Sequence, residues 1–396
     1  MIAAIDLALL VLVGLLAIPV TVFVVQVLLA VFTRMPARTG QPPQRQPVAV
    51  LVPAHNEALV IEGNLRQMLT HLKPGDRLLV VADNCSDDTA AIARSLGVEV
   101  TERFNATLRG KGYALDHGVK ELAKQPPSCV VIVDADCRLH EGALDWLAHQ
   151  AAQTGRPAQA VYLMTRDGDN QAVSPVAVFA WKVRNLVRPL GMSVLGWPCH
   201  LTGSGMAFTW PLIRDLALAN GHIVEDMKMG VDLAHAGHPP MLCREALVTS
   251  TFAVSREGAD AQRTRWEHGT LGMMLQAVPV MLLDGLRGRG KGLLPMALDT
   301  MVPPLALLVM LLAGFTALAA IWNAICVTTL VLCISVFLLA ALSLSVLMAW
   351  WRFGQDILSP AQVPALFLYL VGKLPIYLKF LVKRQVEWVR AKRDGD

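Results

Sequence analysis

Two long apolar tracts bracket a middle region in which short apolar runs alternate with amphipathic stretches. Residues 7–32 carry no charged side chain, enough to cross a hydrocarbon core of ~30 Å at ~1.5 Å per residue. A cleavable signal peptide fits poorly. The start carries Asp6 but no Lys or Arg, and the apolar run far exceeds a signal core. The pattern therefore predicts a transmembrane helix over 1–33 and a Pro/Gln-rich linker over 34–47. Arg34, Arg38 and Arg45 follow the helix, which puts the next domain on the cytoplasmic side.

From 48 to 276 the periodicity is globular. The runs at 48–54, 77–83, 98–103, 129–136 and 159–165 are rich in Val and Ile and read as strands. The stretches at 57–72, 86–96, 111–123 and 142–152 read as the helices between them. This alternation predicts an α/β domain with a mostly parallel, helix-covered sheet. Ligands in such sheets bind beyond the carboxyl ends of the strands, and the polar clusters fall at those ends.

After Gly292 the chain turns apolar again, with no charge between Thr300 and Trp351. That length predicts two transmembrane helices over 300–351, reversing at Ile321-Trp322-Asn323, after an interfacial connection at 277–299. A third span would carry the basic end outside, against the positive-inside rule. The segment 352–396 is therefore expected to be an interfacial amphipathic or re-entrant element ending in a basic cytoplasmic tail.

Composition changes this picture only in part. The chain is 54% hydrophobic with a formal net charge of +4, and no basic run is interleaved with aromatics, so nucleic acid is not an expected partner. The seven cysteines are scattered without a CxxC pair. They read as small buried hydrophobes in a reducing compartment rather than disulfides or a zinc site.

The chemistry sits at the strand ends. Asp134 and Asp136 follow the strand 130–133, and two carboxylates so spaced suit a hard divalent cation shared with phosphate oxygens, with Asp136 as the metal ligand. Pro53, Ala54, His55 and Glu57 close the first strand and Asp83 the second, placed to meet a nucleotide base or ribose. The segment 83–88 lacks the Gly and Glu of a calcium loop. Lys111, between Gly110 and Gly112, opens a helix and offers positive charge to a phosphate, although P-loop spacing is absent.

In this order the pieces resemble the family 2 glycosyltransferases, inverting enzymes with the GT-A fold, over residues 48–274. Leu201-Thr202-Gly203-Ser204-Gly205-Met206 looks like their acceptor-side loop, Glu225-Asp226 like their ED motif, and Gln262-Arg263-Thr264-Arg265-Trp266 like their QxxRW motif. The resemblance implies that Asp226, with Glu225 beside it, is the general base toward an acceptor hydroxyl. It implies that Gly203, Ser204 and Gly205 meet the acceptor. Gln262, Arg263 and Arg265 would face the donor diphosphate, and Trp266 would pack against a sugar. It further implies Mg2+ or Mn2+ and a nucleotide-sugar donor, UDP ahead of GDP. The flanking membrane segments are similar to those of members that build bacterial exopolysaccharides, which implies a multi-pass protein of the bacterial inner membrane.

The segment 176–197 mixes aromatics with Lys182, Arg184 and Arg188; it either covers the domain core or guides a lipid phosphate toward the site. The leading expectation is transfer of one sugar to a polyprenyl diphosphate-linked saccharide, in association with a polysaccharide assembly complex. A processive synthase is the alternative, but it needs a ring of helices for its polymer. The intact acidic and basic motifs argue against a catalytically dead scaffold. The near absence of polar residues between Thr300 and Trp351 argues against a transporter.

Overall fold

The computed structural model describes residues 2–35, 42–166, 173–252, 256–326, 328–362 and 364–382. Arg38 of the linker and the basic tail at 383–396 lie outside the described residues. The chain opens with α1 (Ile2–Val31), apolar on all sides and containing Pro19. A helix with no polar face has no side to turn toward water.

Strands and helices then alternate through β1 (Val48–Ala54), α2 (Ile61–Leu69), β2 (Arg77–Asp83), α3 (Thr89–Ser95), β3 (Glu99–Arg103), α4 (Lys111–Leu122) and β4 (Cys129–Ile132). β1 pairs in parallel with β2 and β4, and β3 extends the sheet beyond β2. Successive side chains point to opposite faces. Val48, Val50 and Val52 thus enter one buried cluster with Leu65 and Met68 of α2, while Ala49 and Leu51 enter another with Leu115 and Leu122 of α4. Burial of both faces explains the unbroken apolar runs.

The second half comprises β5 (Arg138–Leu139), α5 (Ala143–Thr154), β6 (Ala158–Thr165), α6 (Pro175–Lys182), a π-helical turn (Val183–Val187), α7 (Arg188–Val194), β7 (Met206–Thr209), α8 (Trp210–Ile213), α9 (Glu225–His235) and β8 (Met241–Thr251). β7 runs antiparallel to both β4 and β6, which makes the sheet mixed, in the order β3-β2-β1-β4-β7-β6-β8-β5. The sequence pattern does not reveal β5, β7 or β8. Two are too short to show a period, and β8 is interrupted where its register against β6 jumps from Cys243 to Leu247. Arg244 and Glu245 occupy that bulge and break the alternation.

The C-terminal part consists of α10 (Arg256–Leu286), α11 (Leu293–Thr300), α12 (Leu305–Cys326), α13 (Thr329–Phe353) and α14 (Pro364–Val382). The reversal expected at 321–323 does not lie there: α12 continues to Cys326 and α13 starts at Thr329. Trp322 stays helical and donates its Nε1 hydrogen to Asp6 Oδ1 of α1 at 2.7 Å. α10 also runs through the boundary expected at 276, so the domain and the connection after it share one helix. Among the described residues, α1, the segment Glu257–Leu286, α12 and α13 are long and apolar enough to cross a membrane.

The apolar helices and the α/β domain share a core. Phe23 of α1, Leu308 of α12 and Leu342 of α13 are buried in one cluster with Phe179 of α6 and Leu190 of α7. α1 crosses α7 at Gly191, where any Cβ would lie 2.0 Å from the Gln26 carbonyl oxygen. Only glycine permits that approach.

Candidate active site

The first wall of the site is built where β1 and β2 end. Asn56 and Asn84, just beyond them, take φ of 54° and 52°, a left-handed conformation that asparagine tolerates. Asn56 Oδ1 accepts from Ser86 N at 2.7 Å, which ties the two strand-end loops together. Asp83 is 6% exposed and held by Arg103 Nη1 at 2.5 Å, and His55 Nδ1 lies 2.6 Å from the Asp83 carbonyl oxygen. Pro53, Ala54, His55, Glu57 and Asp83 all line a cleft of about 880 Å³.

The floor comes from β4. Asp134 and Asp136 emerge beyond its end, and their carboxylates gather with Cys137 Sγ within 4.8 Å of one another. Burial pushes the Cys137 thiol well above its ordinary value, and it donates toward Asp136 Oδ1 and Tyr162 Oη. A protonated thiol is no ligand for a hard cation, so the usable donors are the two carboxylates. That oxygen-only pair fits Mg2+ or Mn2+. Burial raises the Asp134 carboxyl above its ordinary value, against the pull of Lys111.

Lys111 joins the floor to the acceptor side. As the first residue of α4, it pairs with Asp134, donates to the Gly203 carbonyl oxygen at 2.6 Å and lies 4.0 Å from Glu225 Oε1. Burial opposes its charge, yet Asp134 and Glu225 hold the ammonium pKa above its ordinary value. Glu225 and Asp226 open α9, and Asp226 Oδ1 accepts from Met227 N at 2.8 Å. Burial, reinforced by the Asp226 charge, pushes Glu225 up to about 7.

Gly203 is the close point between these groups. Its φ is 93°, and a Cβ there would lie 3.4 Å from Asp226 Oδ2 and 3.9 Å from Asp134 Oδ2. The loop 201–206 therefore separates and spaces the two carboxylates. Of the residues expected to meet the acceptor, only Gly203 lines the cavity. Ser204 is fully buried and its Oγ accepts from Asp134 N at 3.1 Å. Gly205 bridges the sheet, with its N–H bonded to Ile132 and its carbonyl to Ala160. These two residues build the site without facing it.

α10 supplies the roof. Gln262 and Arg265 line both the 880 Å³ cleft and an adjoining cavity of about 190 Å³ that contains Glu225, Asp226 and His200. Trp266 lines the smaller cavity and packs against Trp181 with ring centroids 4.5 Å apart and planes tilted by 42°. Arg263 departs from expectation. It lines a third cavity toward α1 and α12 and pairs with Asp260 at 3.3 Å. Residues two apart on a helix point to different sides, so Arg263 and Arg265 do not share the 880 Å³ cleft. Sequence reasoning also missed Trp181, Asn185, His200 and Asp299, all lining the smaller cavity. None sits in a motif; they meet only through tertiary packing.

Known proteins bear on this arrangement. The sequence profile of the glycosyltransferase like family 2 matches residues 43–269. The probable glycosyltransferase YdaM of Bacillus subtilis (strain 168) is 37% identical over 98 residues, which cover 22% of this chain and 22% of that protein. The match thus spans about a fifth of the relative's length. Among solved structures, the mannosyltransferase PcManGT of Pyrobaculum calidifontis, in complex with GDP-Man and Mn2+, superposes with a TM-score of 0.52 at 18% identity. It covers 88% of this chain and 99% of that one, a likeness of fold. With more than half its length matched by the profile, the chain belongs to the glycosyltransferase family 2-like proteins and is a glycosyltransferase of GT-A-like fold.

Proposed function

We propose that this enzyme transfers one sugar, with inversion, from a nucleotide-diphosphate sugar to a lipid-linked saccharide at the cytoplasmic face of the bacterial inner membrane. The observation that carries this reading is the approach of Asp226 and Asp134 to one point, beside Gly203, in a cavity walled partly by the apolar helices' neighbours. Asp226 takes the proton from the acceptor hydroxyl as its oxygen attacks the anomeric carbon. The bond from that carbon to the diphosphate breaks on the opposite side. Arg265 faces the departing diphosphate with a planar guanidinium suited to phosphate oxygens. Asp134 and Asp136 would hold a divalent cation, which supplies charge neutralisation of the leaving group when bound.

The nucleotide is UDP ahead of GDP, the acceptor a polyprenyl diphosphate saccharide, and the setting polysaccharide assembly. Purified protein in nanodiscs, screened with nucleotide-sugars and a lipid-linked saccharide, should yield the acceptor extended by a single sugar. A ladder of long polymer would replace this reading with a processive synthase.

A further inference from the structure

We propose that the π-helical turn Val183–Val187 is an anion receptor, in which Arg184 and Asn185 bind the phosphoryl group that joins the acceptor to its lipid. This rests on the lipid-linked acceptor proposed above and names the residues that recognise it. π-helical turns are rare and concentrate at functional sites. Here the turn brings two consecutive polar side chains, Arg184 and Asn185, to the wall of the cavity that holds Asp226.

Both side chains lack a proper partner. Asn185 is 4% exposed, and its Nδ2 meets no acceptor among the described residues. Among the described residues the one acceptor for Arg184 is Met227 Sδ, 3.8 Å from Nη2, and a thioether is a weak acceptor. Neighbouring cations are already committed: Arg188 to Asp299, Lys373 to Glu267 and Arg263 to Asp260. Among the described cations of these two cavities, Arg184 and Arg265 are left without an ion pair, and Arg265 is the one assigned above to the donor diphosphate. Burial disfavours the Arg184 charge although Asp226, Glu267 and Asp299 offset part of that cost, and an anionic ligand in direct contact offsets more of it.

The surroundings define that ligand. Arg184 lines both the Asp226 cavity and the third cavity, whose wall includes Phe23 of α1 with Leu305 and Ala306 of α12. An anion seated at Arg184 thus has apolar helices on one side and the proposed base on the other. Met227, against Arg184, directly follows Asp226. A lipid phosphate with its chain among the helices and its saccharide toward Asp226 satisfies all three surfaces.

Binding can be read from tryptophan fluorescence, since Trp181 and Trp266 line both cavities. Full-length protein in detergent micelles is titrated with farnesyl phosphate, farnesol and inorganic phosphate. Farnesyl phosphate should bind at least about tenfold tighter than either of the others, the gain expected of a charge-assisted contact. Arg184→Gln and Asn185→Leu should each lower its affinity, and Arg184→Lys should retain part of it. Equal binding of farnesol, or unchanged affinity in Arg184→Gln and Asn185→Leu, overturns the receptor. Inorganic phosphate binding as tightly as farnesyl phosphate overturns its assignment to a lipid. The readout does not require turnover. Failure of sugar transfer would therefore count against the proposed function and leave the receptor standing, whereas equal transfer to a phosphate-free lipid saccharide would do the reverse.

Discussion

Lys111 Nζ donates to the Gly203 carbonyl oxygen at 2.6 Å while paired with Asp134. One ammonium thus ties the acceptor-side loop to the carboxylate pair. Lys111→Ala should raise the donor KM about tenfold with a smaller fall in kcat, as for a contact made mainly in the ground state. Steady-state kinetics with saturating acceptor check this; an unchanged KM would remove Lys111 from the donor side.

Asp226→Asn keeps the shape of the side chain and removes its basicity. Transfer should fall about a hundredfold or more, while nucleotide affinity by calorimetry stays within about twofold. Undiminished turnover would show that another group takes the proton.

Arg263 and Arg265 lie on different sides of α10, and of the two only Arg265 lines the cleft proposed to hold the donor. Arg265→Ala should therefore weaken donor binding by about tenfold or more, the scale of a lost charge-assisted contact. Arg263→Ala should leave it nearly unaltered. Equal losses would mean that both arginines reach the diphosphate.

The carboxylate pair predicts metal dependence. EDTA should abolish transfer and Mg2+ or Mn2+ restore it. In Asp136→Ala, the cation should no longer increase nucleotide affinity. Full activity in EDTA would contradict a cation at this site.

Glu225 titrates at about 7 in the folded protein because burial and the Asp226 charge disfavour its ionised form. Its unfolded value is about 4.3, so the folded state holds the proton more tightly. The associated stability is fully present below the unfolded value and is lost as pH rises toward 7. Glu225→Gln should therefore raise the thermal midpoint at pH 8, by a stability on the order of 4 kcal/mol. The gain should vanish near pH 4. A gain independent of pH would assign the effect to packing.

The local patterns of the chain determined what is local. Uninterrupted apolar tracts at both ends specify helices with no polar face, and the Val/Ile runs specify β1, β2, β4 and β6. Polar residues at the ends of those strands marked the first wall of the site at Asp83 and its floor at Asp134 and Asp136, because a chain leaving a buried strand must become polar there. Tertiary structure alone decided the rest. β5 and β7 are too short to show a period, and the reversal of β7 that makes the sheet mixed depends on its neighbours. Gly203 faces the cavity while Ser204 and Gly205 are built into the frame, and α10 turns Arg265 toward the donor cleft and Arg263 away. Arg184, Asn185 and His200 share a cavity with Asp226 only through tertiary packing, in which Gln26 of α1 and Arg188 of α7 meet at Asp299 of α11. Spacing along a chain specifies which way a residue points within its own element; which residues it meets there is decided by how the elements pack.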